Sequence, residues 1–216
     1  MNKQLIPCLY LHSEKAVTGF GQRNLFGDGN VETLAKFYGD NGADELLVFD
    51  FSSTDAEHDR AIGKIRDICQ ASEIPVIAAG NIKRMEDVQR ILYSGAKRVI
   101  LNFSKPDSAE MMAKAAERFG KEKVAVSLDD FDGLFKHQHL IEDNCSELIF
   151  MHRLDLNSVV AVTDIPCVIV TDTMEELELF KILKSEGVKG LSGRYISQPE
   201  MNFNDFKNSA KKKIFR

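Results

Sequence analysis

Residues 74–92 have the sequence IPVIAAGNIKRMEDVQRIL, and residues 165–183 have the similar sequence IPCVIVTDTMEELELFKIL. In both segments an apolar run of strand length precedes a helical pattern that contains Met-Glu and a further acidic residue. A second pair matches in the same order, because ADELLVFDF at 43–51 corresponds to CSELIFMHR at 145–153. Ordered internal matches of this kind predict a chain made of two similar halves.

The same alternation of apolar runs and amphipathic segments continues along the chain. SGAKRVIL at 94–101, for example, matches EGVKGLS at 186–192. Apolar strands that alternate with amphipathic helices are typical of a parallel sheet covered by helices. The eight apolar runs are 5–10, 45–51, 74–79, 97–101, 124–128, 147–151, 165–170 and 188–192.

Eight strands in two similar halves predict an α/β protein with a closed (β/α)8 barrel, the TIM barrel fold. We predict a single domain over residues 1–216, with half-barrels at about 1–104 and 105–216. A doubly wound open sheet is the alternative arrangement of the same elements.

Two helix starts can be located from their capping residues. Thr54 followed by Glu57 has the spacing of a capping box, in which each side chain bonds the backbone N–H of the other residue. Thr173 and Glu176 repeat that spacing ahead of a helix predicted near 174–186. The helix after Thr54 has one apolar face at helical spacing, made of Ala61, Ile62, Ile65, Ile68 and Cys69.

Composition argues against several classes of function. The 216 residues carry a formal net charge of −5, so the chain lacks the basic face that nucleic-acid binding needs. No apolar run approaches the roughly 18 residues that span a bilayer, and no secretory signal is present, so we predict a cytoplasmic protein without membrane partners. We predict no disulfide, metal site or cofactor, because the cysteines are widely spaced: Cys8, Cys69, Cys145 and Cys167.

Two strand ends differ in their chemistry. IPCLYL at 6–11 has Tyr10 at its last inward position, whereas VAVSLDD at 124–130 has Asp129 there. The internal repeat makes these strands counterparts, so Tyr10 should face Asp129 across the same end of the barrel.

The first half resembles the cyclase subunit of imidazole glycerol phosphate synthase, a barrel of histidine biosynthesis. The resemblance is close over about residues 4–104 and rests on IPCLYL, Val-Thr-Gly at 17–19, LAKFYGDNGADELLVFD at 34–50, IPVIAAGNI at 74–82 and the strand end at Asn102. The nearest related family is the isomerase one step earlier in that pathway. The resemblance implies a TIM barrel, a lyase activity if the chain is active, and a substrate with a phosphate at each end.

In that family one catalytic aspartate ends the first strand and another ends the fifth. Asp129 matches the second of these, Asp50 matches an acidic end of strand two, and Asn102 matches a polar end of strand four. The first aspartate falls on Tyr10, and a lysine of the following loop falls on Thr18. A phenol titrates near ~10 and a carboxyl group near ~3.9. Tyr10 therefore does not replace the aspartate, and loss of one positioned acid or base removes about 10²–10⁴ of the rate.

The turn after strand three is the first candidate for phosphate binding. It contains Gly80 and Asn81, and the resemblance places Asn102 and Ser104 of strand four nearby. Backbone N–H groups at a glycine turn can approach an anion closely. We predict that these residues bind phosphate or the phosphate of a phosphoribosyl-type metabolite.

The turn after strand seven is the second candidate, and it differs from the first. It contains no glycine and carries Asp172 where the resemblance expects a phosphate. Two like charges about 4 Å apart cost on the order of 4 kcal/mol near a protein surface. Gly193 and Arg194, after strand eight, are candidate phosphate ligands that partly compensate, and pairing of Arg194 with Asp172 is the alternative.

The histidines offer a different acid–base set. His152 follows strand six at the position that the repeat pairs with Asp50, so Asp129, Asp50 and His152 are candidate catalytic residues that could form a new acid–base set. A histidine without a catalytic role is the alternative. His137 and His139 are two residues apart in a helical stretch and therefore diverge, which argues against a metal site.

Two functional hypotheses from different classes follow. One is a cyclase-like enzyme with reduced or lost activity and a retained phosphate site. The other is a noncatalytic barrel that binds a partner, resembling the domain found ahead of the bifunctional phosphoribosyl-AMP cyclohydrolase and phosphoribosyl-ATP pyrophosphohydrolase, so that the chain is the N-terminal part of a longer protein. Both agree with trimmed loops in the second half, where the segment from Asp129 to Glu147 is about half as long as that from Tyr10 to Glu45.

Overall fold

The computed structural model describes residues 3–19, 21–151 and 161–214. The strands in these ranges are β1 Gln4–Ile6, β2 Cys8–His12, β3 Lys15–Val17, β4 Leu46–Asp50, β5 Val76–Ala79, β6 Arg98–Asn102, β7 Val124–Leu128, β8 Glu147–Phe150, β9 Cys167–Thr171 and β10 Val188–Gly193. They form one sheet, in which the neighbouring strands are parallel except for the antiparallel pair of β2 and β3.

The sheet closes on itself at Pro7. Its order is β1-β10-β9-β8-β7-β6-β5-β4-β2-β3, so β1 and β2 pair with different neighbours although they are consecutive in the chain. Pro7 lies between them and has no backbone N–H, and it interrupts the ladder while its carbonyl accepts the N–H of Leu47 at 2.9 Å. With β1 and β2 taken as one barrel strand, the described ranges supply the eight parallel strands of a (β/α)8 barrel. That prediction is confirmed, and the open sheet is excluded.

Helices follow the strands along the chain. In the described ranges they are α1 Val31–Asp40, α2 Asp55–Ala71, α3 Met85–Tyr93, α4 Ser108–Phe119, α5 Phe131–Lys136, α6 Gln138–Asn144, α7 Glu176–Lys184 and α8 Phe203–Ile214, with a 3₁₀ turn at Lys121–Lys123. The capping box at the start of α2 is confirmed, since Glu57 N donates to Thr54 Oγ1 at 3.2 Å and Thr54 N donates to Glu57 Oε2 at 3.1 Å.

The second predicted capping box is wrong. Helix α7 begins at Glu176 after an N-cap at Glu175 that makes no side-chain capping bond. Thr173 Oγ1 instead accepts the N–H of Glu175 at 3.3 Å in the turn that precedes the helix. A threonine hydroxyl can bond a backbone N–H two residues later, and this local turn competes with helix capping.

The apolar side chains pack in two layers because neighbouring residues of a strand point to opposite faces. The inner layer fills the barrel and includes Leu47, with Phe49 packed against it. The outer layer lies between the strands and the helices and includes Val48. The alternation along β4 therefore directs Asp50 outward, toward the helices.

The strand register supports the internal repeat. Cys8 pairs with Leu47 across β2 and β4, and Ser127 pairs with Ile149 across β7 and β8. The repeat aligns Leu47 with Ile149, so Cys8 and Ser127 are counterparts. Two residues further along each strand, Tyr10 therefore corresponds to Asp129, and both lie at the C-terminal end of the barrel.

The opposite end of the barrel holds a buried ion cluster that joins the two halves. Arg98 Nη2 lies 2.6 Å from Glu45 Oε2, in the first half, and 3.0 Å from Glu147 Oε2, in the second. Lys97 also pairs with Glu45 at 2.6 Å, and its counterpart in the repeat, Lys189, pairs with Glu147 at 2.5 Å. Three cations thus neutralise two buried carboxylates at the amino ends of the strands.

Candidate functional site

One cavity lies at the carboxyl ends of β5 and β6, and we call it the β5–β6 cavity. Its volume is about 500 Å³, and its lining includes Gly80, Asn81, Asn102, Lys83 and Lys105. Ligand sites of (β/α)8 barrels lie at this end of the strands. The cavity combines a glycine turn, amide side chains and ammonium groups, which is a chemistry suited to an anion.

Asp129, the candidate catalytic carboxylate, lies just beyond β7 and is exposed. Ser104 Oγ donates to Asp129 Oδ2 at 2.8 Å, and Ser104 N donates to Asn102 Oδ1 at 2.9 Å. The structure thus brings together three residues that the sequence singled out. Because the Ser104 hydroxyl already bonds a carboxylate, an anion that binds Ser104 must displace that bond.

The turn after β5 contains two consecutive residues with positive φ, a backbone conformation that favours glycine. Gly80 has a φ of 90°, and a Cβ there would lie 1.7 Å from the backbone oxygen of Asp50. Asn81 follows with a φ of 53°, and its Nδ2 donates to the carbonyl of Ser52 at 2.8 Å. Gly80 is therefore required by close packing against the end of β4, and the Asn81 side chain is directed to the same place.

Asp50 lines the β5–β6 cavity, but its buried carboxylate bonds residues at the end of β4 and on α2. Its side chain is 1% exposed and faces α2. Its Oδ1 accepts Ser52 N at 2.9 Å and Ser52 Oγ at 2.6 Å, and its Oδ2 lies 2.5 Å from His58 Nδ1. These bonds show that Asp50 organises the strand end, and its catalytic role stays a prediction.

His58 is a buried residue that the sequence reasoning missed. Its Nδ1 bonds Asp50, and its Nε2 lies 3.8 Å from Asp87 Oδ1 on α3. The hydrogen bond to Asp50 and the nearby carboxylate of Asp87, against the opposing effect of burial, raise the pKa of His58 to about 9. Burial opposes ionisation of Asp87, but bonds from His58 and from two backbone N–H groups lower its pKa to about 2. The available signal was the position of His58 on the apolar face of α2, where a polar residue needs a buried partner.

A second cavity, the β2–β10 cavity, has a volume of about 600 Å³ and is lined by Tyr10, Thr18, Asp172 and Arg194, among others. The adjacent Cys8, burial of the ring and the charge of Asp172 all raise the pKa of Tyr10 above its ordinary value. Burial also raises the pKa of the Cys8 thiol, to about 12. Tyr10 is therefore a neutral phenol at physiological pH.

Gly193 and Arg194 border this second cavity. Gly193 has a φ of 120°, and a Cβ there would lie 1.9 Å from the backbone oxygen of Thr171. Arg194 N donates to that same oxygen at 3.1 Å. Arg194 and Asp172 both line the cavity, and the described ranges contain no ion pair between them.

The comparison with protein families settles the relationship of the chain. Residues 4–182 match the family described as histidine biosynthesis protein. The chain belongs to this histidine biosynthesis protein family. The matched range includes Tyr10, Asp50, Asn102 and Asp129, whereas Gly193 and Arg194 lie beyond its end.

Curated relatives from several bacteria carry the name imidazole glycerol phosphate synthase subunit HisF. The Staphylococcus epidermidis protein is 34% identical over 131 residues, which are 61% of this chain and 52% of the relative. The Streptococcus sanguinis protein is 33% identical over 129 residues, 60% of this chain and 51% of the relative. The chain thus spans about half the length of the curated relatives it matches.

Some predictions about the site fall outside these observations. His152 lies in the range 152–160, outside the described residues, so its candidate role stays a prediction.

Among the residues that the structure describes, no group of three His, Cys, Asp or Glu side chains could hold a metal ion. No helix in that part of the chain is long and apolar enough to cross a membrane.

Lys105 was also missed by the sequence reasoning. It lies between β6 and α4 and lines the β5–β6 cavity, where its ammonium group adds positive charge. Lys83 lines the same cavity but pairs with Asp55 at 2.8 Å on the surface. A lysine in a short connecting loop carries no periodic signal, so only the three-dimensional arrangement places it at the site.

Proposed function

We propose that this member of the histidine biosynthesis protein family binds a phosphate-bearing metabolite, of phosphoribosyl type, in the β5–β6 cavity and has lost most or all of the lyase chemistry of the cyclase. The observation that carries the proposal is that Tyr10 stands where the resemblance expects the first catalytic aspartate, at the C-terminal end of the barrel. The candidate acid–base partner of Asp129 is the neutral phenol Tyr10. A pair of carboxylates is thus reduced to one, while the glycine turn and Lys105 still favour an anion.

Turnover is the first test of this proposal. The purified chain is assayed with ammonia and the phosphoribosyl substrate of the cyclase family. We expect little or no product, since loss of one positioned acid or base removes about 10²–10⁴ of the rate. Tyr10→Asp alone should not restore normal activity, because Asp172 still opposes the second phosphate. Turnover of the unmodified chain at the rate of an ordinary cyclase would overturn the proposed loss of chemistry.

Anion binding is the second test. Crystals soaked in sulfate should hold an anion beside Gly80 and Asn81, with Lys105 in contact, and none at the turn that contains Asp172. Asp172→Gly should then admit a second anion near Arg194, because it removes the repulsion and frees the backbone. Absence of an anion at Gly80 in high sulfate would contradict the proposed site and favour the noncatalytic, partner-binding barrel.

A further inference from the structure

We propose that His58 is a positioning residue for the β5–β6 cavity, because its imidazolium bridges the two carboxylates that fix the turn at residues 80–84. This turn forms one wall of the cavity. The positioning of the turn is independent of any ligand. Its consequence for anion binding rests on the proposed function of the cavity.

The first carboxylate holds the start of the turn. Asp50 Oδ2 lies 2.5 Å from His58 Nδ1 and 3.4 Å from Asn81 Nδ2. Asp50 Oδ1 bonds Ser52, whose carbonyl in turn accepts Asn81 Nδ2 at 2.8 Å. The backbone oxygen of Asp50 also packs against Gly80 so closely that no Cβ fits between them. A shift of Asp50 would therefore move Gly80 and Asn81.

The second carboxylate holds the end of the turn. Asp87 Oδ2 accepts the backbone N–H groups of Lys83 and Arg84, each at 3.0 Å. Its other oxygen lies 3.8 Å from His58 Nε2. That ring nitrogen is buried and has no hydrogen-bond partner among the residues that the structure describes. The two ends of the turn are thus tied to one histidine.

The charge of His58 is what holds two acidic groups at one buried point. Asp50 from β4 and Asp87 from α3 both have side chains that are 1% exposed. The other charged groups around this cluster are Lys83 and Arg84 of the turn and Asp55 of α2, and their side chains are 60%, 61% and 80% exposed. Arg84 Nη2 lies 3.5 Å from Asp87 Oδ1, but its side chain is mostly exposed to solvent, whereas the imidazolium of His58 is buried between the two carboxylates. Because burial strengthens charge interactions, the imidazolium acts on both carboxylates with less solvent screening than Arg84 does.

This arrangement gives a pH dependence with a definite sign. The pKa of His58 is raised to about 9, above its ordinary value of 6.5. The stability that the bridging charge contributes is therefore fully present below about pH 6.5 and is lost as the pH rises through about 9. Asp87, with its pKa lowered to about 2, stays ionised across that range.

Sulfate is the probe for the test, because it does not change charge over this pH range. We expect the affinity of the unmodified protein for sulfate to fall about tenfold as the pH rises through about 9, a size typical of coupling between contacting residues. His58→Gln should show the weaker affinity already at neutral pH and lose the step. His58→Lys keeps a cation at the position and should recover part of the affinity. His139→Gln is the matched control, since the His139 side chain is 94% exposed.

A second measurement separates this inference from the proposed function. Amide hydrogen exchange at Lys83 and Arg84 is followed without any anion, and protection should fall above about pH 9 and in His58→Gln. If sulfate binds none of the proteins, the proposed function fails, but the exchange data still decide the positioning role. Unchanged protection in His58→Gln, or an equal sulfate step with and without His58, would overturn the inference. If His58→Gln does not fold, the test uses the unmodified protein, in which NMR follows the titration of the His58 imidazole and hydrogen exchange follows the amide of Lys83. A titration midpoint below about pH 7 would contradict the positioning role of His58.

Discussion

Single residues at the mouth of this barrel have structural roles that their sequence positions conceal. Gly80 was predicted as part of a phosphate-binding turn, but its φ of 90° and its contact with the backbone of Asp50 already require glycine there. Asp50 was predicted in the catalytic set because it matches the acidic end of strand two in the resemblance. The alternation along β4 directs it to the opposite face from Phe49, where His58 receives it. The repeat identifies which residues end a strand, but the alternation of side chains along that strand decides whether each one points into the barrel or toward the helices.

Gly80→Ala should be destabilising. The new Cβ would lie 1.7 Å from Asp50 O, at a positive φ that alanine adopts with strain. We expect the free energy of unfolding to fall by about 3 kcal/mol or more, together with loss of sulfate binding. Urea denaturation measures the first effect and calorimetric titration the second.

Gly63→Ala is the control for this substitution. Gly63 lies within α2, and a Cβ there meets nothing within 4 Å. Because alanine favours a helix over glycine, this variant should gain up to about 1 kcal/mol of stability. If both variants were equally stable, the close contact at Gly80 would not be what requires glycine at that position.

At the scale of elements, local sequence determined one helix start and not another. Thr54 and Glu57 cap α2 reciprocally, as their spacing predicts. Thr173 has the same spacing to Glu176, but its hydroxyl accepts the N–H of Glu175 in the turn before α7. The spacing shows that a capping box is possible, and the path of the chain out of the preceding strand decides whether it forms.

Thr54→Ala should therefore cost more stability than Thr173→Ala. The first removes the acceptor of Glu57 N at the start of α2, which contributes about 1 kcal/mol to stability. The second removes a bond within a turn, and we expect its effect to be less than half as large. Urea midpoints of the two variants provide the comparison, and equal losses would contradict the assignment of the two caps.

At the scale of the whole molecule, the barrel could be predicted from the sequence because three signals agree. The apolar runs, the helical patterns and the internal repeat all specify eight strand–helix units. The closure at Pro7 and the ion cluster at the amino ends of the strands were not predicted. Both depend on which side chains meet across the closed sheet. Glu45 and Glu147 are distant in sequence, and only the barrel brings Arg98 between them.

Arg98→Met tests how strongly this cluster joins the two half-barrels. The substitution preserves much of the apolar stem but leaves the buried carboxylates of Glu45 and Glu147 with one lysine each, so both lose the cation between them. Removing one partner from a buried ion pair commonly costs about 3–5 kcal/mol, and we expect a value near the lower end because the lysines remain.

Arg60→Met is the control, because Arg60 pairs with Glu14 at 3.8 Å through side chains that are 50% and 52% exposed. That surface pair should contribute no more than about 1 kcal/mol. Chemical denaturation of both variants measures the difference, and a loss in Arg98→Met no larger than that in Arg60→Met would show that the two halves are held together by apolar packing and strand pairing alone.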